Sequence, residues 1–389
     1  MPHTRPRVLL LSDDDAVTGT LRRLTRIGEK LHSQADVVMA TLSSTEPPGP
    51  QGPPFPLQRI GSARRLNMDP ETWAKDYLLP RLDRLIGGFE PDVLVVDGDF
   101  PAWLLDRLRR THGVSWVDVV SAMDAQERSG AAPRTAELTI EVGELVDGRL
   151  TSRSSGTAAH SRVEVDPVLD AAVLDAAAGS AQNAEANLAG DATARPTVVV
   201  DLAGLSPDTA AAAEDLALEW FAAHQKQWTV ALLDSAVARR VPAGAEKVAG
   251  GLTPELVART VAALAVPGFR ALHTWVPAGV PALWLTEGPA GEEPLRGAAR
   301  RSRRRLRPEQ QQALRTRAVR AADAGWGLRE ELEGPHDVDR LRARLTAALE
   351  TMDARGAELA GPREPFSDGA EQAAQAVLER ARRHLSDPA

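Results

Sequence analysis

The chain has 389 residues, contains no cysteine and carries a formal net charge of −8. The lack of cysteine excludes disulfides and thiolate metal sites, and the acidic charge argues against general nucleic-acid binding, which depends on clustered cationic side chains. The apolar run near the N-terminus is too short for a signal peptide, and no stretch reaches the roughly 18 apolar residues of a membrane span. We therefore expect a cytoplasmic protein of two domains, with peripheral membrane contact and a protein partner left open.

The first 120 residues alternate between short apolar runs and amphipathic stretches. The apolar runs have strand length and no polar alternation, which is typical of strands buried in a parallel sheet. The stretches between them place apolar side chains on one face, which indicates helices. The predicted strands are 7–12, 36–41, 89–97 and 115–120, and the predicted helices are 19–32, 70–86 and 101–111. Beyond this region, 135–146 alternates enough to predict a further strand. This order predicts a doubly wound α/β domain.

The same pattern restarts near residue 197, after a stretch rich in small and polar residues. Strands are predicted at 197–202, 228–233 and 280–285, and helices at 208–224, 253–264, 309–324 and 337–351. The helix at 253–264 has Thr253 as its cap and Pro254 at its first position. We predict an N-terminal α/β domain at 1–165, a linker region at 166–195, a C-terminal α/β domain at 196–365 and a helix at 366–389 that could pack back on the first domain.

Ligands of doubly wound domains bind at the carboxyl ends of the strands, which here predicts a site in the cleft between the two domains. Asp97 ends a predicted strand at that edge, and 13–15 is an aspartate triplet after the first strand. The run 300–307 has six arginines in eight positions. It is either a solvated basic loop or a phosphate-binding loop, since guanidinium groups match phosphate geometry. No metal site is predicted, because the histidines are dispersed and the triplet lacks metal-ligand spacing.

Four segments together resemble the GT-B glycosyltransferases, in particular the lipid-linked peptidoglycan N-acetylglucosaminyltransferase group and its actinobacterial relatives. They are TGTLRRL at 18–24, FEPDVLVVDGDFPAWLLDRLRR at 89–110, GFRALHTWVPAGVPALWL at 268–285 and PEQQQALRTRAVRAADAGWGL at 308–328. The first is similar to the group's glycine turn and Leu-Arg-Arg helix start, the second to its Pro-Asp-Val strand, the third to its donor motif and the fourth to the helix that follows. The resemblance covers most of the chain and implies two Rossmann-like domains, the first on the acceptor side and the second on the donor side.

The resemblance also implies an activity. A sugar would pass from a nucleotide-diphosphate sugar to a small-molecule, lipid or peptide acceptor, with inversion and with no metal or cofactor besides that co-substrate. Asp97, as the base on the acceptor side, and Thr20 would be catalytic, with the aspartates at 13–15 as alternatives for the base. Gly19 and Arg22 would lie on the acceptor side. The donor would contact Gly204, Ser206, Gly268, His273, Thr274 and Gln311, and its phosphates would bind Arg303 and Arg304.

Three positions depart from the pattern of that group. Thr20 stands where a histidine base is frequent, and a threonine hydroxyl cannot accept a proton near neutral pH. Thr274 stands where a glutamate holds the ribose, and Ala203-Gly204-Leu205-Ser206 replaces a Gly-Gly-Ser turn. An alternative hypothesis is therefore a catalytically inactive GT-B homologue that acts as partner or activator of another enzyme. A third hypothesis is that the protein has this fold but uses a different kind of donor, for instance in a non-glycosidic coupling of sugar-like units.

Overall fold

The structure is a computed structural model that divides into two compact units, Met1–Leu169 with Ser367–Ala389 (unit 1) and Asp170–Phe366 (unit 2). The structure describes residues 5–13, 19–43, 52–121, 136–145, 161–169, 173–174, 197–223, 229–233, 245–248, 252–288, 306, 308–332, 342–344, 346–348, 350–351 and 368–386. The linker predicted at 166–195 lies largely outside them, so the sequence-based boundaries stay predictions.

Unit 1 is built on a sheet of seven parallel strands in the order β3-β2-β1-β4-β5-β6-β7. The chain runs outward in one direction from β1 and in the other from β4, so this neighbouring pair is the switch point of the sheet. β4 and β5 are buried along their whole length, as their continuous apolar runs predict. The bounds are β1 Arg7–Ser12, β2 Asp36–Thr41, β3 Leu57–Arg59, β4 Val93–Asp97, β5 Ser115–Ser121, β6 Leu138–Val142 and β7 Ser161–Val165.

Five α-helices and one π-helical segment accompany these strands among the described residues before residue 170. The first helix, α1, buries Leu24, Ile27 and Leu31 completely, which fits their spacing along one helix face. The short helix α3 has Pro70 at its first position, and its cap, Asp69, accepts a hydrogen bond from the Thr72 amide at 3.0 Å. The bounds are α1 Thr20–His32, α2 Ala63–Leu66, α3 Pro70–Thr72, the π-helical segment Trp73–Leu78, α4 Leu79–Phe89 and α5 Ala102–His112.

Unit 2 has a sheet of six parallel strands in the order β10-β9-β8-β11-β12-β13. Its switch point lies between β8 and β11. The strands are β8 Thr197–Asp201, β9 Thr229–Leu233, β10 Ala245–Val248, β11 Thr260–Ala265, β12 Ala282–Glu287 and β13 Leu328–Leu332. The helices are α6 Pro207–Ala223, α7 Pro254–Arg259, α8 Phe269–Trp275 and α9 Pro308–Asp323.

The C-terminal helix α10, Gly369–Ser386, belongs to unit 1 and packs against α1. The first residue of this helix packs directly against the backbone at 166–167. The Gly369 amide donates to the Pro167 carbonyl at 3.0 Å, and a Cβ at Gly369 would lie 1.7 Å from the Asp166 carbonyl oxygen. Arg26 of α1 pairs with Asp368 at 3.1 Å. Glycine is therefore required at 369 because the two backbones approach too closely for any side chain.

The helix predicted over 253–264 is wrong in its second half, where the structure has the central strand β11. Alanines favour helix, but β11 pairs with β8 on one side and β12 on the other, and this tertiary context overrides propensity. The β-branched Thr260 and Val261 begin the strand. The other strands that the sequence did not predict, β3, β7, β10 and β13, are the edge strands of the two sheets. Their side chains are mostly not buried, so they lack the apolar runs used to recognise strands.

Two doubly wound parallel sheets confirm the predicted α/β class. Within the described part of the chain, no helix is both long and apolar enough to cross a bilayer.

Candidate functional site

Ligand sites of doubly wound sheets lie beyond the carboxyl ends of the strands, at the switch point. In unit 1 this position is filled by an ion pair between Arg23 of α1 and Asp97, the last residue of β4. Arg23 Nε donates to Asp97 Oδ2 at 2.6 Å and Nη2 donates to Oδ1 at 2.7 Å. The two side chains are 0% and 2% exposed. This is a bidentate pair, the geometry that matches a guanidinium group best to a carboxylate, and it occupies both oxygens of the predicted base.

Asp13, which follows β1, lies beside this pair. Its Oδ1 accepts the Thr20 hydroxyl at 2.9 Å and its Oδ2 accepts the Asp99 amide at 2.9 Å. Gly98 adopts φ 128°, and a Cβ there would lie 2.3 Å from Asp13 Cγ. Gly98, the first residue after β4, therefore leaves the space that the Asp13 carboxylate occupies beside Thr20. The structure thus brings the predicted catalytic residue Thr20 to a member of the aspartate triplet.

The two residues predicted on the acceptor side lie at the start of α1. Gly19 is the cap of that helix and has φ 71°, a left-handed conformation that favours glycine. Arg22 is half-buried on the first turn. Asp14 and Asp15, the other members of the triplet, lie outside the described residues.

Unit 2 has a second ion pair at its own switch point, which the sequence did not predict. Asp201 ends β8, and Arg270 lies on α8, the helix that follows β11. Arg270 Nε donates to Asp201 Oδ2 at 3.0 Å, and Nη2 contacts Oδ1. The side chains are 14% exposed for Arg270 and 4% for Asp201, so this pair is less completely buried than the pair of Arg23 and Asp97.

A third carboxylate, Glu287 at the end of β12, binds the start of α6. Glu287 accepts the Ser206 amide at 3.1 Å, the Ser206 hydroxyl at 2.6 Å and the Thr209 hydroxyl at 2.6 Å. A helix N-terminus favours an anion through its exposed amides and its dipole. The predicted donor residue Ser206 is therefore bound to a carboxylate of the chain itself. The Ser-Pro pair at 206–207 signals the helix start, but nothing in the sequence identifies Glu287 as its ligand.

The predicted donor residues of α8 are buried. The His273 side chain is 1% exposed and its ring centroid lies 3.9 Å from that of Phe269. Thr274 is fully buried, and its hydroxyl has no hydrogen-bond partner among the described residues. A donor could reach either side chain only after α8 moved, so both assignments stay predictions. Gly268 caps α8 without a side-chain hydrogen bond.

Gly204 adopts φ 119°, and a Cβ there would lie 3.0 Å from Val266 Cγ1, so the turn after β8 requires glycine for its own shape. Gln311 is half-buried on α9. The predicted phosphate ligands Arg303 and Arg304 lie outside the described residues. In the described ranges, no group of three or more histidine, aspartate and glutamate side chains is arranged to hold a metal ion.

Solved structures that are similar over nearly the whole chain include several glycosyltransferases. The glycotransferase of kitacinnamycin has a TM-score of 0.53 and 15% identity, over 97% of this chain and 100% of its own. The UDP-glucosyltransferase from Polygonum tinctorium capable of glucosylating indoxyl, solved with 3,4-dichloroaniline, has a TM-score of 0.54 and 13% identity, over 98% of this chain and 100% of its own. MurG of Acinetobacter baumannii has a TM-score of 0.51 and 13% identity, over 97% of this chain and 99% of its own.

These likenesses define the class of the molecule: the chain has the GT-B fold, and the predicted resemblance is confirmed at the level of the fold. No protein-family model matches the chain, and no curated protein matches it.

Proposed function

We propose that this chain is a glycosyltransferase that moves a sugar from a nucleotide-diphosphate sugar to a hydroxyl group of an acceptor. The observation that carries the proposal is the start of α6, where one backbone amide and two hydroxyls already bind an anionic group. Donors that hold a carboxylate at a helix N-terminus also suit a phosphate oxygen. The GT-B fold, shared over the whole chain with glycosyltransferases, supports the same activity.

Glu287 has a definite role in this proposal. Its carboxylate and a donor phosphate would compete for the same three hydrogen-bond donors on Ser206 and Thr209. Two anions cannot share them without repulsion, so donor binding requires that Glu287 leave. This exchange lowers the affinity for the donor by the free energy of the Glu287 contacts. We expect Arg303 and Arg304 to offset part of that cost by neutralising the diphosphate.

The chemical step that we propose is a single displacement. The acceptor oxygen forms a bond to the anomeric carbon as the bond from that carbon to the phosphate oxygen breaks, and the nucleotide diphosphate leaves with the electron pair. On the acceptor side, assigned to unit 1 by resemblance, Asp13 takes the proton of the acceptor hydroxyl, and the Thr20 hydroxyl orients the Asp13 carboxylate by donating a hydrogen bond to it. Asp97, held on both oxygens by Arg23, positions α1 instead of accepting the proton.

Titration calorimetry of the full chain with uridine and thymidine diphosphates and their sugars tests the proposal. We expect binding in the millimolar range or tighter for at least one nucleotide, and absence of binding for all of them contradicts it. The Arg303→Gln/Arg304→Gln variant should weaken binding by about tenfold, since it removes two phosphate contacts. Arg64→Gln/Arg65→Gln is the matched control, because it makes the same charge change on an exposed helix of unit 1.

A second candidate function is a non-catalytic GT-B partner of another enzyme. The observation that favours it is again Glu287, because a carboxylate built into the chain can close the phosphate position permanently. In that case the natural chain binds no nucleotide diphosphate. Turnover of any nucleotide sugar by the isolated chain contradicts this second function.

A further inference from the structure

Unit 1 contains a pocket of about 720 Å³ at the edge of its sheet that is opposite to Asp13 and Asp97. Gly113 and Val114 line it immediately before β5 begins, and Glu137 lines it immediately before β6 begins. All strand starts of a parallel sheet lie along one edge and all strand ends along the other. The pocket is therefore separate from the switch point, and it lies wholly within unit 1.

The pocket is strongly cationic. Among the described residues that line it, Glu137 is the one carboxylate and five are arginines: Arg109, Arg110, Arg380, Arg382 and Arg383. The chain as a whole has a net charge of −8, so the average composition does not explain this concentration. Basic residues are common in the last turn of a helix. Here, however, the last turns of two helices, α5 and α10, converge on one concave surface.

One wall of the pocket is a connected group of side chains. Arg380 donates to the Ser115 hydroxyl at 2.6 Å and contacts Glu137, and the Ser115 hydroxyl donates to Glu137 at 2.5 Å. Arg109 lies 3.7 Å from the same carboxylate, and its buried Nε has no hydrogen-bond partner among the described residues. Glu137 is therefore shared between two guanidinium groups and is not available to balance the others.

The other three arginines are exposed and make their contacts outside the lining. Arg110 donates to its own helix at the Asp106 carbonyl, Arg382 donates to the Gln34 side chain at 3.3 Å, and Arg383 lies 3.8 Å from Glu379. Exposed contacts of this kind contribute little stability. These guanidinium groups can therefore turn toward a ligand at small cost.

We propose that this pocket binds a soluble anion that carries two or more phosphate groups. Guanidinium groups bind phosphate oxygens through paired hydrogen bonds. A concave surface of one charge sign focuses the field and concentrates counter-ions, and the volume is in the range of small-molecule sites. The site is distinct from the proposed donor position on α6, and it does not depend on sugar transfer.

Titration calorimetry of the full chain with inorganic pyrophosphate tests the proposal. Arg110→Gln/Arg383→Gln should raise the dissociation constant by about tenfold, because it removes two charge-assisted contacts. Arg64→Gln/Arg65→Gln, with the same change in net charge, should leave that constant unchanged. Arg303→Gln/Arg304→Gln should leave pyrophosphate binding at the pocket as tight as in the natural chain. This result separates the pocket from the donor position. Unchanged melting temperatures show that the variants fold.

A parallel arm uses phosphatidylcholine vesicles with and without phosphatidylglycerol, since a lipid headgroup also offers phosphate. Absence of pyrophosphate binding overturns the proposal. An equal loss of affinity in Arg110→Gln/Arg383→Gln and in the Arg64→Gln/Arg65→Gln control also overturns it. Vesicle binding that depends on Arg110 and Arg383, without binding of pyrophosphate, also overturns it and indicates a membrane-facing surface.

Discussion

The two sheets carry the same kind of ion pair at the same topological position, with strand and helix exchanged. In unit 1 the carboxylate, Asp97, ends the later strand of the switch-point pair, and Arg23 lies on the helix after the earlier strand. In unit 2 the carboxylate, Asp201, ends the earlier strand, and Arg270 lies on the helix after the later one. Each pair ties together the two strands from which the chain diverges.

The two pairs differ in their access to solvent. Arg23 is completely buried, whereas Arg270 is partly exposed. An unpaired charge in the interior is very unfavourable, so each member of a buried ion pair needs the other. At a partly exposed position, water can solvate the charge that remains when its partner is removed. The switch point of unit 1 is therefore a fixed part of the core. The carboxyl edge of unit 2, where Arg270 and Glu287 remain in reach of water, is better suited to exchange its contacts for a ligand.

Arg23→Met should have the largest effect, because it leaves Asp97 buried without its counter-ion. We expect a loss of about 3–5 kcal/mol in the free energy of unfolding. Urea denaturation followed by circular dichroism measures it, with the exposed Arg64→Met as control. The double variant Arg23→Met/Asp97→Leu should recover most of the loss, since it removes both charges. A loss in Arg23→Met no larger than in the control contradicts the assignment of a buried pair.

Arg270→Met should have a smaller effect than Arg23→Met. Asp201 loses its partner, but Arg270 is partly exposed, so water can enter the space that it leaves, and we expect a loss of about 1–3 kcal/mol in the free energy of unfolding. High salt should reduce the difference between Arg270→Met and the natural chain, because partly exposed pairs are screened. The same salt series should change the effect of Arg23→Met little. Equal salt dependence of the two variants would remove the distinction between the units.

Glu287→Gln should have the smallest effect on stability. The amide oxygen of glutamine can still accept the Ser206 and Thr209 hydroxyls, but its amide nitrogen would face the Ser206 N–H. The helix therefore loses one hydrogen bond and the charge at its N-terminus, about 1–2 kcal/mol in the free energy of unfolding. Glu246→Gln, the same substitution at an exposed position of unit 2, should cost less. A Glu287→Gln variant as destabilised as Arg23→Met would mean that Glu287 is a structural residue and not an exchangeable one.

The sequence predicted the elements and contacts that neighbouring residues determine, and it missed those that depend on residues far apart in the chain. The buried strands were recognised from their apolar runs, but β11 was not, because its place between β8 and β12 is set by residues far along the chain. Thr20 and Asp13 lie 7 residues apart and were both candidates. The partners of Asp97, Asp201 and Ser206 lie 74, 69 and 81 residues away, and no local pattern identifies them.

The competition between Glu287 and the donor is tested most directly by titration calorimetry of a uridine or thymidine diphosphate sugar with the natural chain, Glu287→Gln and the control Glu246→Gln. Removal of the competing charge should tighten donor binding by about tenfold in Glu287→Gln and leave it unchanged in Glu246→Gln. Equal or weaker binding in Glu287→Gln contradicts the account, because the donor would then not take the position that Glu287 holds at the start of α6.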